Sequence, residues 1–420
     1  MKEIPQTLDE LIDKKLGETE STTRKQYGPS REEKLAEITR QRLKKEQEDR
    51  ERKSKRQEEE IRRRQERIER EKETLISRIE KYPDIFSIRS FSSYIDGTPI
   101  INVVITGDYV GEEDIAKDLE FCHLIFEQSA RHDIVDNNYK ADCGTGINGG
   151  YVRLDGIGAK EVFRSGEGKI NSLGRKMKRG LIELLKNSNS YVNSVNHIGE
   201  SMDGGKILTH GLISCWTIGM LMRGGEIQIN DTTFCDYSMG ENMSGGEIKI
   251  NHRIGGESPS TYPWSKSEGS SIGKNMSRGM IYIKGDVSNC SLGENMSGGE
   301  IVIEGRYNSD RKTDERSEDI NIHIGRSMSG GRIIIKGQVY KYWKGKEFIP
   351  LPTERIGGRM TGGTITLEKY CYRGSTSLYR RPKFLKDPNS VNSLLELFSN
   401  YIPGGWFMPN IYAKRLVLEK

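Results

Sequence analysis

The sequence predicts a mainly β protein in which residues from about 143 to 368 form a right-handed parallel β-helix of about nine coils. Three observations predict this fold. A glycine-led unit recurs along the chain, apolar and polar residues alternate inside each unit, and glycines stand on both sides of the alternating segment. A long charged segment without glycine or proline precedes the repeat, and we expect it to be helical.

The repeating unit reads Gly-x-x-Met-x-Gly-Gly-x-Ile-x-Ile, and each occurrence is called a copy below. In two copies a basic residue, Arg179 or Arg278, replaces the first of the paired glycines. Consecutive copies start 20 to 33 residues apart, so the basic period carries insertions of variable length. The nine copies start at Gly144, Gly174, Gly199, Gly219, Gly240, Gly273, Gly293, Gly325 and Gly357.

Each part of the unit has a physical role in such a coil. In the copy at Gly293, the alternation predicts that Ile301 and Ile303 point inward. Val302 and Glu304 should then point outward, while an apolar residue before the paired glycines fills the other side of the coil. Glycine suits the corners because it adopts positive φ without a steric penalty.

Stacking must supply the stability that a single coil lacks, because one coil cannot offset the conformational entropy of its own backbone. Hydrogen bonds would join neighbouring coils at a spacing of ~4.8 Å. Crossovers between parallel strands are almost always right-handed, which predicts the hand of the helix. The alternative is an antiparallel β-sandwich with glycine-rich turns, whose strands would have no reason to share one signature.

Segments of different composition flank the repeat. We divide the chain into a disordered tail (1–30), a charged helix (31–82), a small α/β cap (83–142), the repeat (143–368) and a C-terminal cap or docking segment (369–420).

The charged segment carries 18 Lys or Arg and 15 Asp or Glu between residues 31 and 80, with opposite charges recurring four residues apart. Such pairs stabilise an isolated helix. Ile61, Ile68 and Leu75 recur every seven residues, a spacing typical of a coiled-coil seam. Three states stay open: a single solvated helix, a coiled coil that pairs chains or binds a partner, and a disordered segment.

Two further segments should close the ends of the repeat. Before it, residues 100–110 suit a strand and residues 112–132 suit a helix. The expected apolar face of that helix consists of Ile115, Leu119, Cys122 and Phe126. After the repeat, a short helix at 390–399 and an apolar stretch at 401–409 either cap the last coil or dock a partner.

The repeat resembles that of a known family, the GXGXG family. Its copies are similar to those of the structural β-helix component of formylmethanofuran dehydrogenase and of the C-terminal domain of the glutamate synthase large subunit. The resemblance covers residues from about 143 to 368. It implies a non-catalytic β-helix that packs beside catalytic subunits, or, as the alternative, a genuine subunit of a multi-subunit oxidoreductase of either type.

Two groups of residues match the letters of a binding motif without its context. Gly144, Gly146 and Gly149 have the spacing of a dinucleotide fingerprint, which requires a helix where this sequence continues into a strand. His197 and His323 both lie two residues before a starting glycine, but the copies between them lack histidine at that position. We therefore predict neither a bound cofactor nor a metal ladder.

Two other groups combine reactive residue types. Cys122 and His123 are adjacent on the expected helix and would point in different directions, which argues against a nucleophilic pair. Glu241, Glu294 and Glu300 would supply the acid and base of a glycan-cleaving β-helix enzyme, the third functional hypothesis. They stand at regular surface positions, where aromatic residues are sparse, so we expect no intrinsic activity.

Composition excludes several classes of partner. Basic residues are interleaved with acidic ones, whereas nucleic-acid binding needs a clustered basic face. No segment approaches the roughly 20 apolar residues that span a bilayer. With no apolar export signal and six scattered cysteines, we expect a cytoplasmic protein with reduced thiols, whose partners are other protein subunits.

Overall fold

The computed structural model describes residues 30–93, 98–105, 113–128, 142–155, 170–185, 192–231, 233–254, 270–288, 290–308, 322–340, 342–344, 347–349, 355–370, 383–384, 411–412 and 416–419. Within them the protein is mainly β, with one long N-terminal helix and sheets built largely of parallel strands. Residues 1–29 of the tail expected at 1–30, the helix expected at 390–399 and the apolar stretch at 401–409 lie outside these residues. The chain divides into two compact units, Met1–Glu66 and Arg67–Lys420.

Helix α1 spans Arg31–Glu80, as the charged segment predicts. It begins with a capping box, in which the Glu33 N–H donates to Ser30 Oγ (3.1 Å) and the Ser30 N–H donates to the Glu33 carboxylate (2.9 Å). In the first unit every described residue is exposed, and Glu59 binds Arg63 at 2.6 Å. Among the described helical residues, none form a stretch both long and apolar enough to traverse a bilayer.

The second unit begins inside α1, and the side chains of this part of the helix are partly buried. Leu75 and Ile79 are each 1% exposed, and Ile68 is buried as well. The expected seam of Ile61, Ile68 and Leu75 is therefore divided, because Ile61 is exposed while the other two pack within their own chain. Ile68 and Leu75 are consequently not free to form a seam with a second chain.

The described strands form two large sheets and two small ones. The strands are β1 Phe86–Ser93, β2 Pro99–Ile105, β3 His123–Gln128, β4 Asn148–Asp155, β5 Ile170–Leu173, β6 Arg179–Leu184, β7 Val192–Ile198, β8 Lys206–Thr209, β9 Leu212–Ile218, β10 Glu226–Ile229, β11 Thr233–Met239, β12 Ser244–Ile250, β13 Ser270–Ile272, β14 Arg278–Ile283, β15 Val287–Ser288, β16 Cys290–Leu292, β17 Glu300–Ile303, β18 Tyr307–Asn308, β19 Ser329–Tyr340, β20 Tyr342–Lys344, β21 Glu347–Ile349, β22 Gly362–Tyr370, β23 Lys383–Phe384, β24 Ile411–Tyr412 and β25 Leu416–Glu419. The long sheet runs β1-β2-β3-β4-β6-β8-β10-β12-β14-β17-β19, continues into β18 and β15, and adds β22 beside β19. The six-stranded sheet runs β16-β13-β11-β9-β7-β5.

Neighbouring copies pair through the same repeat positions. In the long sheet, Ile207, Ile227 and Ile248 are parallel partners across β8, β10 and β12. In the six-stranded sheet, Ile198 is the parallel partner of Ile218 across β7 and β9. The middle copies thus give one strand to each sheet, in register with the copies on either side.

Apolar side chains fill the inward positions, as the alternation predicts. Ile301 and Ile303 have no exposed surface and belong to the core cluster. Val302, which the alternation places in the outward row, is nevertheless only 8% accessible. Its strand partners Tyr282 and Ile334, from the copies on either side, shield it within the outer row.

Glycine is required at the corners for two reasons: the backbone has positive φ, and neighbouring atoms leave no room for a Cβ. All nine starting glycines have positive φ, between 60° and 78°. A Cβ on Gly219 would lie 2.5 Å from Cδ1 of Ile248, and one on Gly225 would lie 2.6 Å from Cε of Met202. The absence of a Cβ therefore lets the isoleucine and methionine of neighbouring copies pack against the corner backbone.

The helix expected at residues 112–132 is wrong. Residues 115–118 form a turn, and residues 123–128 form β3, which pairs parallel with β4. Leu124 is the partner of Val152, and Phe126 is the partner of Leu154, so both side chains extend the inward rows of the repeat.

This segment is a tenth, diverged copy, which starts at Ala116. Asp118 has the positive φ (57°) that Lys176 has at the third position of its copy (55°). The Asp118 N–H donates to the Thr145 carbonyl (2.9 Å), just as the Lys176 N–H donates to the Glu200 carbonyl (2.9 Å). The segment between residues 113 and 128 thus continues the stack by one copy.

The copy at Ala116 has no glycine-led copy before it, and α1 supplies the missing hydrogen-bond acceptors. In later copies, N–H groups around the paired glycines donate to a carbonyl of the preceding copy. Here the Glu71 carboxylate accepts from the N–H groups of Glu120 (3.0 Å), Phe121 (2.9 Å) and Cys122 (2.7 Å). A carboxylate that receives three backbone N–H groups fixes the part of α1 that belongs to the second unit to the start of the stack.

Antiparallel strands border the long sheet on both sides of the stack. β1 pairs antiparallel with β2, and β25 pairs antiparallel with β22. Both pairings end the series of parallel strands and cover an edge that would otherwise expose unpaired backbone groups. The strand β25 belongs to the C-terminal segment, and it covers the edge of β22.

Candidate docking surface

The glycine group at the start of the copy at Gly144 forms a corner that leads into a strand. Gly144 and Gly146 have φ of +78° and +71°, and Gly149 lies inside β4. A dinucleotide fingerprint requires a helix at this point. The three glycines are therefore corner residues of the repeat.

The two candidate histidines stand in separate surroundings. The ring of His197 packs edge-on against Trp216, with 6.0 Å between the ring centroids. Burial, together with the positive charges of Arg326 and Arg355, lowers the pKa of His323. Across the part of the chain that the structure describes, no group of three or more His, Cys, Asp or Glu side chains is placed to hold a metal ion.

Cys122 and His123 do not form a nucleophilic pair. Cys122 is fully buried, and burial together with the nearby Glu71 carboxylate raises the pKa of its thiol. His123 lies at the start of β3 and packs edge-on against Tyr151, with ring centroids 5.4 Å apart. Burial likewise raises the pKa of Cys290 to about 12. Thiols whose charged form is so disfavoured are unreactive.

The three candidate carboxylates belong to rows of side chains that run from copy to copy. Glu300 binds Arg332 of the next copy at 2.6 Å. Glu241 and Glu294 occupy the second position of their copies, and Lys274 holds the same position in the copy between them. The three carboxylates therefore stand at regular repeat positions along the stack.

Other outward side chains also pair along the stack. Lys249 binds Glu226 of the preceding copy at 3.3 Å. The amide of Asn275 donates to Asn242 (3.1 Å), and the amide of Asn295 donates to Asn275 (3.3 Å). Each side chain of such a ladder provides a hydrogen-bond or ion-pair partner for the side chain of the next copy, so these rows stabilise the stack.

One copy departs from this polar pattern. The copy at Gly219 and its neighbour present four apolar side chains, Trp216, Met220, Leu221 and Tyr237, which we call the docking patch. Trp216 is 39% exposed, Leu221 45% and Tyr237 58%, while Met220 is half-buried. The rings of Trp216 and Tyr237 pack edge to face with centroids 6.0 Å apart.

The repeat itself shows that the docking patch is unusual. At the second and third positions, all other copies hold a polar residue or glycine, whereas this copy holds Met220 and Leu221. Leu221 has φ +58°, a left-handed conformation that costs a leucine about 1 kcal/mol. Asn242 adopts the same conformation in the next copy with a residue type that tolerates it (φ +56°). An exposed leucine at a strained position does not serve stability, which points to a role in binding.

Carboxylates flank the docking patch along the stack. Backbone hydrogen bonds of 2.8 Å place Glu200, Met220 and Glu241 on successive copies at the second position. Glu200 also lies 3.6 Å from Arg175 of the preceding copy. Met220 therefore has a glutamate at the same position of the copy on either side.

Sequence reasoning missed this surface because outward aromatic residues are sparse along the repeat as a whole. Trp216 and Tyr237 are both exposed, and they belong to adjacent copies. A comparison of the copies position by position contains the signal, since Met220 and Leu221 replace polar residues there.

No family model, curated protein or solved structure matches this chain. The resemblance to the GXGXG family therefore rests on the repeat alone.

Proposed function

We propose that residues 116–370 form a right-handed parallel β-helix and that this chain is a non-catalytic scaffold on which other protein subunits assemble. The observation that carries the proposal is the pairing of equal repeat positions from copy to copy in both large sheets. Stacking of this kind merges the inward side chains into one apolar core and gives the molecule long regular surfaces.

The chemistry of the candidate residues supports a role without catalysis. The Glu300 carboxylate is bound to Arg332, and the Cys122 thiol is buried with a raised pKa. In contrast, the docking patch exposes aromatic and aliphatic side chains of the kind found at the centre of protein interfaces.

Native mass spectrometry of the full chain, purified gently from its source, tests the scaffold. We expect a complex of fixed stoichiometry with other proteins, or a defined oligomer. A strictly monomeric protein without partners would contradict the scaffold role. Binding and cleavage of members of a polysaccharide panel would favour the glycan-active alternative instead.

The resemblance of the repeat supports a more specific proposal, in which the chain is a subunit of an oxidoreductase of the formylmethanofuran dehydrogenase or glutamate synthase type. The same purified complex tests it. Flavin, iron–sulfur or molybdopterin absorbance in the accompanying subunits would support this assignment. A complex without any of these groups would contradict it and leave the scaffold intact.

A further inference from the structure

We propose that the docking patch binds a segment of a partner protein in which an apolar side chain stands between lysine or arginine residues. The inference rests on the proposed scaffold function, to which it adds a surface and a class of partner. The patch exposes apolar side chains, and its Met220 stands between Glu200 and Glu241 of the neighbouring copies. Each of these features selects one property of the ligand.

The apolar part of the patch provides an anchor. Trp216 and Tyr237 are packed against each other, so little conformational freedom is lost when a ligand covers them. Tryptophan and tyrosine are also the residues that most often dominate the binding energy of an interface. Leu221 extends the patch around the corner at Gly219, where its backbone is held at positive φ.

The charges beside the patch argue against a second copy of this chain as the ligand. Along the second positions of successive copies the order is Arg175, Glu200, Met220, Glu241 and Lys274. A two-fold axis through the central methionine would place the two glutamates opposite each other and the two cations opposite each other. Parallel pairing in register would set each charge against itself. Like charges at an interface suppress association, so the row favours a ligand with cations beside its apolar residue.

The side chains at the corner also argue against a saccharide. Met220 and Leu221 offer hydrocarbon surface without strong hydrogen-bonding groups. Hydroxyl groups placed over them would lose their water without gaining a partner. An apolar side chain of a protein loses no hydrogen bond when it covers the same surface.

A peptide array tests the proposal with the full chain. The probes are short synthetic peptides in which leucine, phenylalanine or tryptophan is flanked on both sides by lysine, serine or glutamate. We expect the lysine-flanked peptides to bind at least ~10-fold more tightly than the glutamate-flanked ones, with a difference that shrinks as salt is added.

The chain itself provides variants that should fold. Trp216→Asn and Leu221→Asn install the residues that neighbouring copies carry at the same positions, Asn196 and Asn242. Each should weaken binding of the lysine-flanked peptides ~10-fold or more. Phe91→Asn is the matched control, because Phe91 is 53% exposed on β1 and lies outside the patch. It should leave binding unchanged.

Charge reversal supplies the sharpest comparison. The double variant Glu200→Lys and Glu241→Lys should prefer the glutamate-flanked peptides. Equal binding of all peptides, or a preference that survives Leu221→Asn and charge reversal, would overturn the proposal. Dimers that dissociate in Leu221→Asn would identify a second copy as the ligand, and polysaccharide binding lost in Trp216→Asn would identify a saccharide; either result overturns it as well.

The two proposals can fail separately. If native complexes form and persist in Trp216→Asn and Leu221→Asn, the scaffold stands and the assignment of the docking patch falls. If no complex forms at all, the scaffold role falls first.

Discussion

At the scale of single residues, the backbone of the repeat decides which side chains suit a position. The third position of every copy has a left-handed backbone, with φ between 54° and 71°. Asparagine tolerates this conformation because its short side chain can hydrogen-bond locally, whereas leucine is strained there. Leu221 is therefore the residue whose replacement separates stability from binding.

Replacing Leu221 by asparagine should raise the free energy of unfolding by about 1 kcal/mol. The change removes the strain and places an amide next to the ladder that starts at Asn242. The reverse change, Asn242→Leu, should lower the free energy of unfolding by a similar amount. Urea denaturation followed by circular dichroism measures both changes. If the Leu221→Asn protein were no more stable than the parent, the claim that the backbone strains Leu221 would be contradicted.

Asp114 makes the stability of the first copies depend on pH. The side chain is 6% exposed and accepts N–H groups from Ala116 and Gly144, each at 3.0 Å. Burial raises its pKa from 3.8 to about 6, although these hydrogen bonds act in the opposite direction. The native state therefore holds the proton more tightly than the unfolded chain does.

The contribution of Asp114 to stability should be fully present below pH 3.8 and should be lost as the pH rises through about 6. Over this window, the free energy of unfolding of the parent relative to Asp114→Asn should fall by about 3 kcal/mol. Denaturant titrations of both proteins at matched pH values measure the difference. A difference that does not vary with pH would contradict the raised pKa.

At the scale of elements, the end of α1 completes the hydrogen bonding of the first copy. Glu71 accepts three backbone N–H groups that in other copies would find a carbonyl. Glu71→Gln removes the charge and offers one acceptor oxygen in place of two. Its neighbour Glu73 is exposed on the same helix and provides the matched control, Glu73→Gln.

Glu71→Gln should speed hydrogen exchange of the Phe121 and Cys122 amides roughly 100-fold, since losing hydrogen bonds to a charged group costs about 3 kcal/mol. Glu73→Gln should leave these amides unchanged. Exchange followed by mass spectrometry of the peptide that contains residues 120–122 measures both. Equal exchange in the two variants would show that the carboxylate does not hold the end of the stack.

The sequence predicts the copies that keep the glycines of the repeat, and it misses the copy at Ala116, which lacks them. Copies from Gly144 onward are recognisable because glycine is needed for φ and space at the corners. In the copy at Ala116, alanine and Cys122 replace glycines, while Ile115, Leu119 and Phe126 recur at a spacing that also suits a helix. The sequence therefore predicts a helix here, because the strand alternation of β3 is too short to outweigh the helical spacing. Only the pairing of β3 with β4 separates the two interpretations.

The docking patch was not predictable from periodicity for a different reason. Periodicity identifies what the copies share, whereas Met220 and Leu221 matter because they depart from it. The left-handed φ of the third position, which every copy shares and which disfavours leucine, is a property of the backbone and becomes visible only with the fold. Of the candidates that the sequence did predict, Glu300 is a member of a row of side chains along the stack.

At the scale of the whole molecule, the number of copies between two residues should set their separation. The intervals between starting glycines vary from 20 to 33 residues. In a stack, each interval advances the chain by one strand spacing whatever its length, because the additional residues leave the coil as insertions.

Distances between spin labels test this most directly. The labels are attached through non-natural amino acids, because thiol-directed labels would also react with the six cysteines of the chain. One label is placed at Lys176, and the second is placed in turn at Asn275, Ser327 and Arg359. These positions lie four, six and seven copies away, so double electron–electron resonance should give separations near ~19, ~29 and ~34 Å. Separations that do not grow by about one strand spacing per copy would contradict the stacked fold and the scaffold built on it.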